Sequence, residues 1–312
     1  MSSTIHPSVL DLIGSTPLVE LSRIHPGPGR VLAKCEFLNP GGSMKDRAAL
    51  QIIRDAERDG RLRPGQHVVE MTSGNMGAGL AVVCVATSHP FTAVMSRGNS
   101  PARRAQMEAL GARVDLVDQV DGSPGRVTGA DIAAAERHAR ELARESGAFY
   151  VDQFNNRSGV RAHESTTGPE IWQQSGGRID AFVTGVGTGA SLVGVSRFLR
   201  AQSPGVRVYA VEPARSRPLD GRDVESPQHV IQGTGYGLVP PLWRDFTPDG
   251  CLAVSDDEAI RYQRELGSRE GLFAGFSSAA NVSAAIQLAR SGELGQNPTV
   301  VTLLCDTGLK YI

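Results

Sequence analysis

Short apolar runs alternate along the chain with longer amphipathic segments. Val31–Glu36, Val68–Met71, Phe91–Met95, Arg113–Val117, Phe149–Val151, Ala181–Thr184, Val206–Val211 and Thr299–Leu304 have the length and apolar content of buried strands. Between them, apolar positions recur at helical spacing over Asp46–Asp59, Met76–Thr87, Pro101–Leu110, Ala130–Glu145, Glu164–Gln174, Ala190–Ala201, Asp256–Glu270 and Ser278–Ser291. Gly60, Gly111, Gly147 and Gly271 stand where helix C-termini need a left-handed residue. Near-continuous apolar strands separated by helices predict an α/β protein whose parallel sheets are covered on both faces. The number of units predicts two such sheets in two packed α/β domains with a cleft between them. No repeat or low-complexity linker divides the halves.

The chain has 312 residues, 40% hydrophobic and 21% charged, with a formal net charge of −1. That balance gives no electrostatic reason to bind nucleic acid or an anionic membrane. No stretch is apolar for long enough to span a bilayer. Met1–Pro7 lacks a basic region followed by an apolar core, so the expectation is a cytoplasmic protein without a signal peptide. Cys35, Cys84, Cys251 and Cys305 show neither CxxC nor zinc-ligand spacing; buried reduced thiols are expected, and no metal. The 36 glycines cluster where strands hand over to helices, the distribution of a phosphate- or nucleotide-binding α/β protein.

Four of these turns carry candidate chemistry. The first is Asn39-Pro40-Gly41-Gly42-Ser43-Met44-Lys45-Asp46-Arg47. Lysine occurs only at 34, 45 and 310 among 32 Lys and Arg residues, so its use at 45 is selective. Unlike arginine, its amine can lose a proton and condense with a carbonyl, and a helix N-terminus disfavours the ammonium form. Lys45 is therefore a candidate Schiff-base lysine; the alternative is a surface lysine after a turn. Thr72-Ser73-Gly74-Asn75-Met76-Gly77 follows a strand, and Gly275-Phe276-Ser277-Ser278-Ala279 precedes a late helix. Gly185-Val186-Gly187-Thr188-Gly189, after another strand, offers main-chain N–H groups to a phosphate. By itself it supports a dinucleotide site equally well, since Gly185, Gly187 and Ala190 fit G-x-G-x-x-A and Glu212 ends the next strand as a ribose-binding acid would. Against that, Glu212 lies beyond the usual spacing of about 20 residues, and Lys45, Asn75 and Ser277 are left without a role.

Together the four turns resemble the fold type II pyridoxal-phosphate enzymes, specifically the cysteine synthase (O-acetylserine sulfhydrylase) and cystathionine β-synthase family. Ile13-Gly14-Ser15-Thr16-Pro17-Leu18-Val19, Arg103-Arg104, Leu110-Gly111-Ala112, Gln153-Phe154 and Thr166–Trp172 extend the resemblance over nearly the whole chain. It implies a tryptophan synthase β-like architecture. A smaller, mobile domain would cover 36–149, and 1–35 with 150–312 would form a larger one. Pyridoxal 5′-phosphate would sit in the cleft between them. It further implies that Lys45 holds the cofactor as an imine and then acts as base on Cα. Asn75 would bond the 3′ oxygen, Gly185, Val186, Gly187, Thr188 and Gly189 the phosphate, and Ser277 the pyridine nitrogen. A helix N-cap is the other role open to Ser277 or Ser278. Thr72, Ser73, Gly74 and Gln153 would bind the substrate carboxylate.

The chain departs from the family at several positions. Met76 replaces a usual threonine, removing a hydroxyl donor. Arg157–Val160 replaces a Pro-Ala-Asn-Pro stretch, Tyr236 resembles the cystathionine β-synthases, and Ala279 stands where glycine is common. Met76 and Tyr236 are accordingly candidate substrate-side residues, with simple packing as the other reading. The expected function is β-replacement on O-acetyl-L-serine by sulfide, giving L-cysteine through an aminoacrylate. The alternatives are O-phosphoserine as donor, or hydroxyurea, an amine, cyanide or homocysteine as nucleophile. A dinucleotide-dependent dehydrogenase and a non-catalytic relative are more distant. A homodimer is implied by the resemblance, and a regulatory partner protein stays open.

Overall fold

The computed structural model describes residues 5–226 and 228–312. In chain order its strands and helices are β1 (Leu18–Glu20), β2 (Arg30–Cys35), α1 (Lys45–Arg58), β3 (Val68–Met71), α2 (Asn75–Ala86), β4 (Phe91–Ser96), α3 (Pro101–Ala109), β5 (Arg113–Val117), α4 (Gly129–Ser146) and β6 (Phe149–Tyr150). There follow α5 (Ser158–Ala162), α6 (Gly168–Gln174), β7 (Ala181–Gly185), α7 (Ala190–Gln202), β8 (Arg207–Pro213), β9 (Gly250–Val254), α8 (Asp256–Glu265), α9 (Phe276–Arg290) and β10 (Thr299–Leu304).

The chain divides into two α/β units. The smaller comprises Asn39–Ser158 with the segment ending at Ile13; the larger comprises Gly14–Leu38 and Gly159–Ile312. Relative to the expected 36–149, the smaller unit runs on to Ser158. It also takes in the segment from residue 5 to Ile13, because Leu10 and Ile13 pack on its core.

The smaller unit holds a parallel sheet in the order β5-β4-β3-β6. Side chains alternate across it: Val68, Ala93 and Met95 join Ile52, Ile53 and Leu80 of α1 and α2, whereas Val69 and Val94 join Ala135, Ala139 and Ala143 of α4. Each near-continuous apolar strand thus feeds two cores. In the larger unit the order is β1-β2-β10-β7-β8-β9, parallel except for β1. There Ala181, Val183, Val300 and Leu304 pack against Ala280, Ala284 and Ile286 of α9.

Sequence pattern misses β1 and β9, the two edge strands. β1 has three residues after Pro17, and β9 is largely half-buried, so neither shows a long apolar run. The helix expected from Glu164 begins earlier, at Ser158, and passes through a π-turn at His163–Thr167. Gly194 of α7 lies against that turn so closely that a Cβ there would meet the Val160 carbonyl oxygen at 2.3 Å.

Candidate active site

In the smaller unit, the lysine segment is held from the main chain outward. Asn39–Gly42 closes a turn with Gly42 at φ +76°, and the Ser43 hydroxyl accepts the Lys45 N–H at 3.2 Å. Asp46, fully buried, accepts the Gly41 N–H at 2.5 Å. A Cβ on Gly41 would sit 2.5 Å from that carboxylate, so only bare backbone fits. Lys45 opens α1 half-buried, its helix position fixed while its side chain stays reachable. Asp46 is a contributor whose buttressing role the sequence did not disclose.

At the end of β3, the Thr72 hydroxyl oxygen accepts the N–H of Gly77 at 3.1 Å and of Gly74 at 3.4 Å, shaping the turn into α2. Arg103 of α3 donates to the Ser73 carbonyl at 3.3 Å. Asn75 is the first residue of α2. Met76 turns into the core of this unit, 3% exposed, which is the packing alternative in structural form. Gln153 follows β6, and its N–H donates to Glu70 of β3 at 3.4 Å while the Asp152 N–H donates at 2.9 Å. Glu70 thereby ties Gln153 to the strand that ends in Thr72. Burial pushes its carboxyl up to about 8, offset in part by these N–H donors. A glutamate inside an apolar strand was the available signal for it.

In the larger unit, β7 ends at Gly185 and the turn enters α7 through Gly189 at φ +87° with no side-chain cap. A Cβ on Gly187 would fall 2.4 Å from the Gly233 carbonyl oxygen. The Gly235 N–H donates to Val186 at 3.2 Å, and a Tyr236 ring carbon stands 3.7 Å from that Gly187 Cβ position. Tyr236, proposed for the substrate side, is thus brought against the Gly185–Gly189 turn. Thr188 is 5% exposed and its hydroxyl accepts the Ala190 N–H at 3.4 Å. Bare backbone, an uncapped helix N-terminus and no basic side chain suit a phosphate monoester.

Ser277 lies in the first turn of α9, 6% exposed. The capping role considered for Ser277 or Ser278 belongs to neither; Gly275 is the N-cap. The Ser278 hydroxyl is buried without a hydrogen-bond partner. Glu212 is the ribose-binding acid of the dinucleotide reading. Both its carboxylate oxygens are occupied by main chain, with the N–H of Leu219 at 2.8 Å and of Asp220 at 3.1 Å. Its carboxylate thereby holds the loop that follows β8. The lysine at 34 is also accounted for: fully buried, it pairs with Glu170 at 2.6 Å and donates to the Thr16 carbonyl at 2.5 Å. Among the described residues no acidic, His or Cys group is arranged for a metal, and no helix is long and apolar enough to cross a membrane.

Residues 9–306 match the family described as pyridoxal-phosphate dependent enzyme. A cysteine synthase of Staphylococcus aureus is 39% identical over 307 residues, covering 98% of this chain and 95% of that protein. The crystal structure of an O-ureido-L-serine synthase aligns with TM-score 0.88 and 39% identity, over 99% of this chain and 94% of the other. An O-acetylserine dependent cystathionine β-synthase from Helicobacter pylori aligns with TM-score 0.89 and 32% identity, over 99% and 98%.

Proposed function

The chain belongs to the pyridoxal-phosphate dependent enzyme family, and from that premise we propose that it forms L-cysteine from O-acetyl-L-serine and sulfide. Its cofactor is pyridoxal 5′-phosphate and its reaction class is β-replacement on an O-activated L-serine. When bound, the cofactor supplies an electron sink for the pair left at Cα.

The chain's own residues divide the remaining work. Lys45 would hold the cofactor through its amine, and the same amine would take the proton from Cα of the bound substrate. Asn75 donates to the 3′ oxygen. The main chain of Gly185, Val186, Gly187 and Gly189, with Thr188, binds the phosphate. Ser277 would meet the pyridine nitrogen with a neutral hydroxyl, which would leave the ring less electron-withdrawing than a carboxylate and favour loss of the β-substituent. Ser73, Gly74 and Gln153 bind the substrate carboxylate with Thr72; Met76 supports that turn from behind, and Tyr236 bounds the substrate side. The observation that carries the substrate class is the Thr72 hydroxyl. Its oxygen already accepts two turn N–H groups, so its proton is left for an α-carboxylate.

A second reading has its own support: a synthase of O-ureido-L-serine is as similar in sequence as the cysteine synthase. There the nucleophile would be hydroxyurea. Steady-state rates with O-acetylserine and O-phosphoserine, each against sulfide, hydroxyurea, homocysteine and cyanide, decide. The highest kcat/KM is expected for O-acetylserine with sulfide; a hydroxyurea preference installs the second reading, and no turnover with any pair overturns both.

We place the enzyme in the cytoplasm as a homodimer. Four free thiols, three of them buried, suit a reducing compartment, and light scattering on the purified protein tests the dimer.

A further inference from the structure

We propose that Asn281 is a positioning residue that locks the phosphate-binding turn to the Ser277 helix, so that one buried amide sets the preference for a phosphorylated cofactor. The inference rests on reading Gly185–Gly189 as the phosphate cradle.

Asn281 is fully buried in α9, one helical turn beyond Ser277 and on the same side of the helix. Its Oδ1 accepts the Gly185 N–H at 2.7 Å. Its Nδ2 reaches Thr184 Oγ1 at 3.1 Å, the Leu303 carbonyl at 3.0 Å and Cys305 Sγ at 3.3 Å. An amide nitrogen carries two hydrogens, so these three acceptors saturate it. A main-chain N–H can only donate, which fixes Oδ1 toward Gly185 and leaves one orientation for the group.

Packing does not ask for an amide here. Ala279, Ala280, Ala284 and Ala285 around it on α9 are fully buried, and an apolar residue would fill such a place without desolvation cost. What the amide supplies is a fixed point at the residue where β7 becomes the turn. Gly185 is wedged there, since a Cβ on it would stand 3.3 Å from Asn281 Oδ1 and 3.0 Å from Thr234 Cγ2. The same amide reaches Cys305, whose thiol burial pushes up to about 12.

The test compares cofactors that differ only by the phosphate. Holoenzymes of wild type, Asn281→Ala, Thr184→Val and Ser277→Ala are dialysed against mixtures of pyridoxal phosphate and pyridoxal. Borohydride then fixes whatever is bound, and mass spectrometry reads the ratio. Asn281→Ala is expected to shift the ratio toward pyridoxal by about tenfold to a hundredfold, the effect of one buried hydrogen bond lost with its partner stranded. Thr184→Val, which removes one of the acceptors orienting the amide, should shift it the same way by roughly two- to fivefold. Ser277→Ala should leave the ratio as in wild type, because the ring is common to both compounds. A variant at 281 that lowers Tm but keeps the wild-type ratio overturns the proposal. Should that variant fail to fold, an unchanged ratio in Thr184→Val overturns it equally. A wild type that retains neither compound instead overturns the cradle reading, and this proposal with it.

Discussion

In the smaller unit the Thr72–Met76 turn takes its shape from side chains. Thr72 gathers two N–H groups, Arg103 holds the Ser73 carbonyl, and Glu70 tethers the neighbouring Gln153. In the larger unit the Gly185–Gly189 turn takes its shape from the absence of side chains, with neighbouring backbone pressed against bare glycine. The two suit different ligands. A phosphate that stays bound through every cycle is served by rigid main-chain donors. A carboxylate that arrives and leaves is served by a turn whose shape a few side-chain contacts can alter. Substitutions in the first turn should therefore act on substrate use, and those in the second on cofactor retention.

Lys45→Ala gives the largest effect expected and sets the baseline for that contrast. Loss of the anchoring and Cα-base roles proposed for Lys45 should lower turnover by at least about 10³-fold with Tm little changed. A variant that still performs β-replacement at more than trace rate removes the premise of both turns. Paired alanines in the turns come next. At Gly187 a Cβ would lie 2.4 Å from backbone, whereas at Gly74 the nearest group is the flexible Arg103 guanidinium at 3.8 Å. Gly187→Ala should cost about 1–3 kcal/mol of stability and shed cofactor on dialysis. Gly74→Ala should stay within about 0.5 kcal/mol of wild type and raise KM for the amino-acid donor. Equal cofactor loss in the two variants would erase the distinction.

Glu70 sharpens the comparison through pH. Its carboxyl is neutral up to about 8 in the folded protein and ionises near the ordinary 4.5 when unfolded. Between those values folding takes up a proton, so this stabilisation is present at low pH and is lost as pH rises toward 8. Against Glu70→Gln, wild type should lose roughly 1.4 kcal/mol per pH unit across that window in urea titrations. Parallel pH profiles would show that the N–H donors from Asp152 and Gln153 cancel the cost of burial and that Glu70 is ionised in the fold.

Glu70 and Asn281 also mark the limit of what the sequence discloses. The parallel strands are legible because burial on two faces leaves runs such as Val68–Met71 and Thr299–Leu304 apolar. The glycine turns are legible because backbone or a buried carboxylate packs where a side chain would stand, as at Gly41 and Gly187. The side chains that hold those turns in place are not. Glu70 acts on residues 82 and 83 positions away, and Asn281 on one 96 positions away. No periodicity encodes such a partner; for Glu70 the local sign is a charged residue within the apolar strand β3, and α9, with serines on either side of Asn281, offers none as clear.

Met76 carries the smallest effect and the most pointed choice. Read from sequence, it stands in the carboxylate turn where a hydroxyl is usual, and a change to threonine would be expected to improve use of O-acetylserine. In the fold its side chain lies in the core with Leu80 and the two helices that carry Lys45 and Asn75. The turn itself is already shaped by Thr72. Met76→Thr would exchange a buried thioether for a smaller, polar group, at a cost of about 2 kcal/mol. The expected result is a lower Tm with kcat/KM for O-acetylserine within about threefold of wild type. A tenfold gain in kcat/KM would instead mean that the turn borrows part of its donor set from position 76, and that specificity in the smaller unit is written one residue deeper into α2 than the Thr72 contacts suggest.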